Sequence, residues 1–234
     1  MIQRSRLVDP DDVWIHQSCL DDRLHHSISS YLDNAKDELM NNVEGRQISV
    51  GDKTFNIKHT NEKHPYQLLW YLPFVPGYYD QTNDTIANWA SSKYHQLMHP
   101  AVRFLKEKTQ SLSPLSDYDG EWVALRGVFN ILTAGTELWP HTDGAPYVMD
   151  IFKYPTYSAT YYASVNGEGG EFWDERGFMY KPVNNSLLIN LGTKWIHGVR
   201  PSDQDRLGIT IRFVKSTDLC LPGSIDKLLY KPSL

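Results

Sequence analysis

From Trp122 onward the chain is cut into short extended runs that follow one another with little between them. Trp122 to Thr133, Leu138 to Thr142, Tyr157 to Val165, Glu171 to Trp173, Phe178 to Lys181, Ser186 to Leu191, Trp195 to Val199 and Arg206 to Val214 read as strands, with Gly, Asn and Pro separating them. Eight strands over about 95 residues, punctuated in this way, point to a two-sheet jelly roll or a similar barrel. No internal repeat or low-complexity tract competes with that reading.

The preceding half has another texture. Leu24, Ile28, Leu32, Ala35 and Leu39 recur every three or four residues behind an Asp pair suited to a helix start, which predicts an amphipathic helix between Asp21 and Met40. Ile48, Val50, Phe55 and Ile57 alternate around Gly51-Asp52 as in a tight hairpin, and Tyr66 to Val75 reads as a buried strand stopped by Pro76-Gly77. Asn83-Asp84 caps a second helical run containing Ile86, Trp89, Leu97, Val102 and Leu105, with Pro100 as a kink or break. Ser111 to Gly120 is the clearest linker-like stretch, yet no long flexible segment separates the halves. The expected organisation is therefore one integrated domain, with a helical and β-hairpin region (1–120) packed on a β core (121–234).

Charge and cysteine content narrow the function classes. A formal net charge of −5 gives no electrostatic reason to expect nucleic acid as a partner. Cys19 and Cys220 stand far apart, without the spacing of a thiolate metal site, which fits a reducing cytoplasm. No apolar run approaches the ~18 residues of a membrane span, and the N-terminus lacks the apolar region of a signal peptide. A soluble, cytoplasmic protein is expected.

Chemistry concentrates in Trp139-Pro140-His141-Thr142-Asp143-Gly144. Side chains at i and i+2 of an extended strand share a face, so His141 and Asp143 can clamp one divalent metal. In a chain with nine His a lone His-x-Asp arises readily by chance, and His141 equally suits a surface turn. The company downstream changes the balance, because His197 follows in Lys194-Trp195-Ile196-His197-Gly198, and Arg206 comes nine residues later. Two His and a carboxylate with open positions suit non-haem Fe(II), while an Arg offers a planar fork for a dicarboxylate co-substrate. Thr210, at i+4 from Arg206 and on the same strand face, could add a hydroxyl. Read singly, His197 suits a core histidine, Tyr162 suits core packing, Gly169-Gly170 suits a bulge, and Arg212 suits a solvated charge.

In order, His141-x-Asp143, Tyr161-Tyr162, Gly169-Gly170-Glu171-Phe172, and His197 with Arg206 and Thr210 behind it resemble the Fe(II)/2-oxoglutarate-dependent oxygenases, particularly the prolyl hydroxylase-like branch. The resemblance spans roughly 122–214. It implies a double-stranded β-helix core with flanking helices, with iron bound by His141, Asp143 and His197. It also implies 2-oxoglutarate held at its distal carboxylate by Arg206, Thr210 and Tyr162, with O2 as the second co-substrate and ascorbate as a supporting reductant. The implied activity is hydroxylation of a prolyl or other amino-acid residue in a peptide, or of a free amino acid. Ile131 and Leu138 stand where many members of that branch carry Tyr. Asn130, and Arg206 paired with Arg212, resemble instead the nucleic-acid demethylase branch, although the interval from His197 to Arg206 is shorter than usual there. Asn130 and Arg212 are thus further candidates for co-substrate contact. Oxidative demethylation of nucleic acid, and a metal-binding cupin-like barrel without turnover, remain the alternatives.

Overall fold

The computed structural model describes residues 12–42, 47–50, 53–56, 67–73, 103–143 and 157–218. Its main body is two antiparallel sheets. The larger has the strand order β1 (Val13–His16), β10 (Ser186–Leu191), β7 (Tyr157–Val165), β12 (Arg206–Lys215), β5 (Trp122–Leu132) and β4 (Gln67–Pro73). The smaller runs β6 (Leu138–His141), β11 (His197–Val199), β8 (Phe172–Asp174) and β9 (Met179–Tyr180). A separate hairpin, β2 (Gln47–Val50) with β3 (Lys53–Asn56), pairs as the alternation predicts. Its turn residues Gly51 and Asp52, the expected strand stop at Pro76-Gly77, and the expected helical run from Asn83 to Val102 lie outside the described residues; 103–110 are helical.

The order of the larger sheet is what a jelly roll requires: sequence-distant strands lie side by side, so β12 joins β7 to β5. Period-two alternation then sorts the side chains of β12 and β7 onto two faces. Leu207, Ile209, Ile211 and Phe213, with Ala159, Tyr161 and Ala163, are buried in one apolar cluster that also takes Ile28 and Leu32. Those two residues belong to helix α1 (Asp22–Asn42), which therefore covers the outer face of the sheet with the stripe its periodicity marks. Asp21 starts this helix, its carboxylate accepting from the Leu24 N–H at 2.9 Å. Such a cap is worth about 1 kcal/mol. Polar contacts fix the docking angle, with the Ser29 hydroxyl donating to the Ala163 carbonyl at 2.9 Å and His25 Nδ1 2.7 Å from the Tyr161 hydroxyl. Among the described residues no helix is long and apolar enough to cross a membrane.

The other face of β12 and β7 carries Arg206, Gly208, Thr210 and Arg212 beside Ser158, Thr160 and Tyr162, and these look into the space between the sheets. Tyr161 and Tyr162, adjacent in sequence, are thus divided between the helix-covered core and the interior cavity.

Three boundaries differ from expectation. β1 carries only four residues, too short for sequence periodicity to reveal, and is held by pairing with β10 at the sheet edge. β11 begins at His197 rather than Trp195, because the backbone of 194–196 is engaged in the preceding turn: the Lys194 N–H donates to Leu191 O, and Ile196 O accepts from Glu175 N–H. Finally, β6 ends at His141, so Asp143 lies in the bend beyond it and the two side chains are not the i and i+2 pair of one strand.

Candidate metal centre and co-substrate cavity

His141 closes β6 and His197 opens β11, and the two are paired directly across these antiparallel strands. Opposed side chains in such a ladder stand close enough to meet, and the two imidazole centroids are 4.5 Å apart. Asp143 reaches the same point from the bend, where its N–H donates to the Gly192 carbonyl at 2.7 Å. Each of the three residues offers a ligand atom, and these atoms all lie within 4.8 Å of one another. The expected triad therefore converges, but through a bend anchored on the β10–β11 turn rather than through strand alternation.

The surroundings orient two of these side chains, Asp143 and His197. The Asp143 carboxylate accepts from Arg212 Nη2 at Oδ1, 2.6 Å away, and from the Ser158 hydroxyl at Oδ2. Burial by itself pushes this carboxyl up, but the Arg212 guanidinium and the flanking imidazoles outweigh it and hold Asp143 well below the usual carboxylate range. His197 donates from Nδ1 to the Trp195 carbonyl at 3.0 Å, which turns Nε2 toward Asp143, and its ring stacks on Phe172. A backbone acceptor at one ring nitrogen is the usual device for fixing the tautomer of a metal-binding His. Gly192 is required for a different reason: a Cβ there would lie 2.0 Å from Asp143 Oδ2.

A cavity of about 270 Å³ runs from this cluster toward Arg206. Leu132, Leu138, Val199 and Phe172 provide apolar wall, and a polar ladder crosses its floor. In that ladder the Asn130 amide donates to Thr210 Oγ1 at 2.8 Å, and Thr160 Oγ1 lies 2.9 Å from the same oxygen. Arg206 is 5% exposed, and its Nη1 donates to the Gly170 carbonyl at 2.7 Å. Its Nε and Nη2 are buried with no hydrogen-bond partner among the described residues. Those two N–H groups share one edge of the guanidinium plane, the geometry that takes a carboxylate in two parallel bonds. Leaving a buried donor unpaired costs about 1–3 kcal/mol, so this edge calls for an acceptor that none of the described residues supplies. Gly170, at φ +76°, lets the backbone come this close, since a Cβ would stand 2.9 Å from Arg206 Nη1.

Of the expected site residues, Asn130, His141, Asp143, Tyr162, His197, Arg206, Thr210 and Arg212 all line this cavity. Tyr162 is buried, and burial raises its phenol so that it keeps its proton. Arg212, a candidate for co-substrate contact, donates both Nη groups to Asp143. Of the two Tyr-replacing residues, Leu138 lines the cavity and Ile131 belongs to the helix-covered core. Ser158 carries a site contact that the motifs did not single out, and Phe172, quoted within Gly169-Gly170-Glu171-Phe172, carries one to which the motif assigned no role. Ser158 was recoverable from alternation with Thr160 and Tyr162; the stacking of Phe172 on His197 was not.

No protein-family model and no curated protein matches the chain. Solved structures do match in fold. A prolyl-4-hydroxylase from Pseudomonas putida superposes with a TM-score of 0.50 at 16% identity, covering 87% of this chain and 92% of that one. A prolyl hydroxylase from Trichoplax adhaerens, in complex with a hypoxia inducible factor peptide fragment, gives 0.52 at 13% identity over 89% and 86%. HygX from Streptomyces hygroscopicus, with nickel and 2-oxoglutarate bound, gives 0.51 at 12% identity over 88% and 83%. The chain has the double-stranded β-helix fold of these oxygenases. Within that fold its own residues assemble a cluster of two imidazoles and one carboxylate whose chemistry fits Fe(II).

Proposed function

We propose that the protein is an Fe(II)- and 2-oxoglutarate-dependent dioxygenase that hydroxylates a C–H bond, consuming O2 and releasing succinate and CO2. One observation carries the reading: the His141–Asp143–His197 cluster and the open Nε/Nη2 edge of Arg206 face the same cavity. A 2-oxo dicarboxylate has a chelating end and a distal carboxylate, which match these two features in kind. When bound, Fe(II) supplies the coupling of O2 reduction to oxidative decarboxylation of the 2-oxo acid.

The chain's own residues have separable tasks in this account. Arg206 anchors the distal carboxylate through its free edge, and Tyr162 stands nearby as a protonated phenol able to donate. Thr210, held by Asn130 and Thr160, completes the polar end of the cavity. Arg212 and Ser158 keep Asp143 ionised and oriented. The apolar wall around Phe172, Leu138 and Val199 limits water near the cluster, which strengthens the charged contacts inside.

The substrate we favour is a prolyl or other amino-acid residue in a peptide, or a free amino acid. Supporting this are the prolyl hydroxylases among the fold neighbours, one of them in complex with a peptide. Asn130 and the Arg206–Arg212 pair keep oxidative demethylation of nucleic acid as the second reading. Against it stand the formal charge of −5 and the commitment of Arg212 to Asp143. Oxygen-dependent succinate formation from 2-oxoglutarate separates both enzymes from a barrel that merely binds metal. Product analysis with peptide libraries against methylated oligonucleotides then separates the two enzymes, and oxidation of oligonucleotides alone would reverse our preference.

A further inference from the structure

We infer that Asp12 is a positioning residue for the metal centre, acting on His197 through Trp195. Asp12 is 3% exposed and lies just ahead of the edge strand β1, far in sequence from every motif of the site. Its Oδ2 accepts from the Trp195 indole Nε1 at 2.9 Å, from Arg176 Nη1 at 2.9 Å and from Lys194 Nζ at 3.0 Å. Its backbone carbonyl also accepts from Leu191 N–H, so the residue is fixed at both ends.

The segment it grips is the turn that delivers His197. Both cations also lie against the Trp195 ring, the Arg176 guanidinium 4.6 Å and the Lys194 ammonium 5.0 Å from its centroid. Arg176 is itself aimed by Asp174, to which its Nη2 donates at 2.6 Å, and Asp174 is paired with His197 across β8 and β11. The intervening Glu175 takes the Ile196 N–H on its carboxylate at 3.0 Å and donates its own N–H to the Ile196 carbonyl. Residues 194–196 are thus held on both sides, and the Trp195 carbonyl accepts from His197 Nδ1. A buried carboxylate with three donors is an expensive way to hold an edge strand. The expense has a purpose if the group fixes the carbonyl that selects the His197 tautomer.

This inference rests on the metal reading only for its affinity arm. In metal-free protein at alkaline pH, where imidazole is neutral, nitrogen-15 spectra of the His197 ring, assigned with His197→Asn, should show the Nδ1–H tautomer. Asp12→Ala should mix the two tautomers and weaken Co2+ binding by about tenfold, the low end of the range for loss of an outer contact to a metal ligand, since Asp12 acts one residue further out. His25→Ala, which cuts the helix α1 contact to Tyr161 without touching 194–197, should leave both readouts unchanged. If Asp12→Ala does not fold, Trp195→Phe removes the indole donor alone and should shift both in the same direction. Unchanged tautomer and affinity in a folded Asp12 or Trp195 variant would overturn the inference, as would equal losses in the His25 variant. Failure of the wild type to bind Co2+ would instead refute the metal site, and the tautomer comparison would still decide the role of Asp12.

Discussion

Arg212 Nη2 stands 2.6 Å from Asp143 Oδ1, and Arg212 Nη1 also donates to the Asp143 backbone carbonyl, so one guanidinium grips both the ligand and the bend that carries it. Both side chains are largely buried, at 12% and 8% exposure. Removing one member of such a pair strands the other charge, at a cost of about 3–5 kcal/mol. Arg212→Met, which keeps the apolar stem, should therefore lower the melting temperature of the metal-free protein clearly. A divalent cation at the cluster replaces part of the lost positive charge. Saturating Mn2+ should consequently shrink the difference from wild type in a thermal scan. An equal difference with and without Mn2+ would mean that Asp143 does not serve the metal.

The free edge of Arg206 makes a prediction about binding rather than stability. Arg206→Lys keeps a positive charge but loses the two parallel donors. Losing a charge-assisted hydrogen bond is worth about 1.5–3 kcal/mol, so the KM for 2-oxoglutarate should rise about ten- to a hundredfold. The far-ultraviolet circular dichroism should stay unchanged. A folded variant with an unaltered KM would place the dicarboxylate anchor elsewhere.

Gly192 tests the packing around the ligand carboxylate. A methyl group at this position would meet Asp143 Oδ2 at 2.0 Å and Ser158 Oγ at 2.8 Å. Gly192→Ala must displace Asp143, and metal affinity should fall by about tenfold or more, as for other changes around metal ligands. Gly177 provides the contrast, since no described residue lies within 4 Å of a Cβ there. Gly177→Ala should cost only the strain of its φ of +87° and leave metal affinity intact, as equilibrium dialysis would show.

The strands were legible because their alternation survives in sequence: all eight expected after Gly120 are present, most within a residue or two of the expected bounds. Helix α1 was legible for the corresponding reason, its stripe of Leu24, Ile28 and Leu32 being the part it buries. The triad could be picked out by residue type, but the route by which it converges could not. Asp143 is placed by a hydrogen bond to Gly192, a contact between loops that no local pattern encodes. Arg212 shares its strand face with Arg206, so alternation gave its direction, while its partner emerged only once the bend had folded over it. Asp12 was invisible for the same reason, since its donors come from residues 176, 194 and 195.

How the first half of the chain serves the core is a further expectation. We propose that residues 1–120 and the barrel form one unit, because β1 and β4 complete the larger sheet and α1 covers its apolar face. Deleting residues 1–115 would bare that face, which a soluble protein rarely tolerates. The truncated barrel should be insoluble or inactive, as sedimentation and succinate formation would report. A soluble truncation with full turnover would show that the first half has another task.

The central claim is that one metal and one 2-oxoglutarate share the cavity between the sheets. Calorimetric titration of the metal-free protein, first with Mn2+ and then with 2-oxoglutarate in the absence of O2, tests it most directly. The account predicts one equivalent of each, with 2-oxoglutarate binding strongly enhanced by the metal. Asp143→Ala and His197→Ala should abolish tight metal binding, and Arg206→Lys should weaken only the second titration. A folded wild type that binds 2-oxoglutarate equally well without metal, or an Asp143→Ala variant that binds Mn2+ as tightly as wild type, would contradict it.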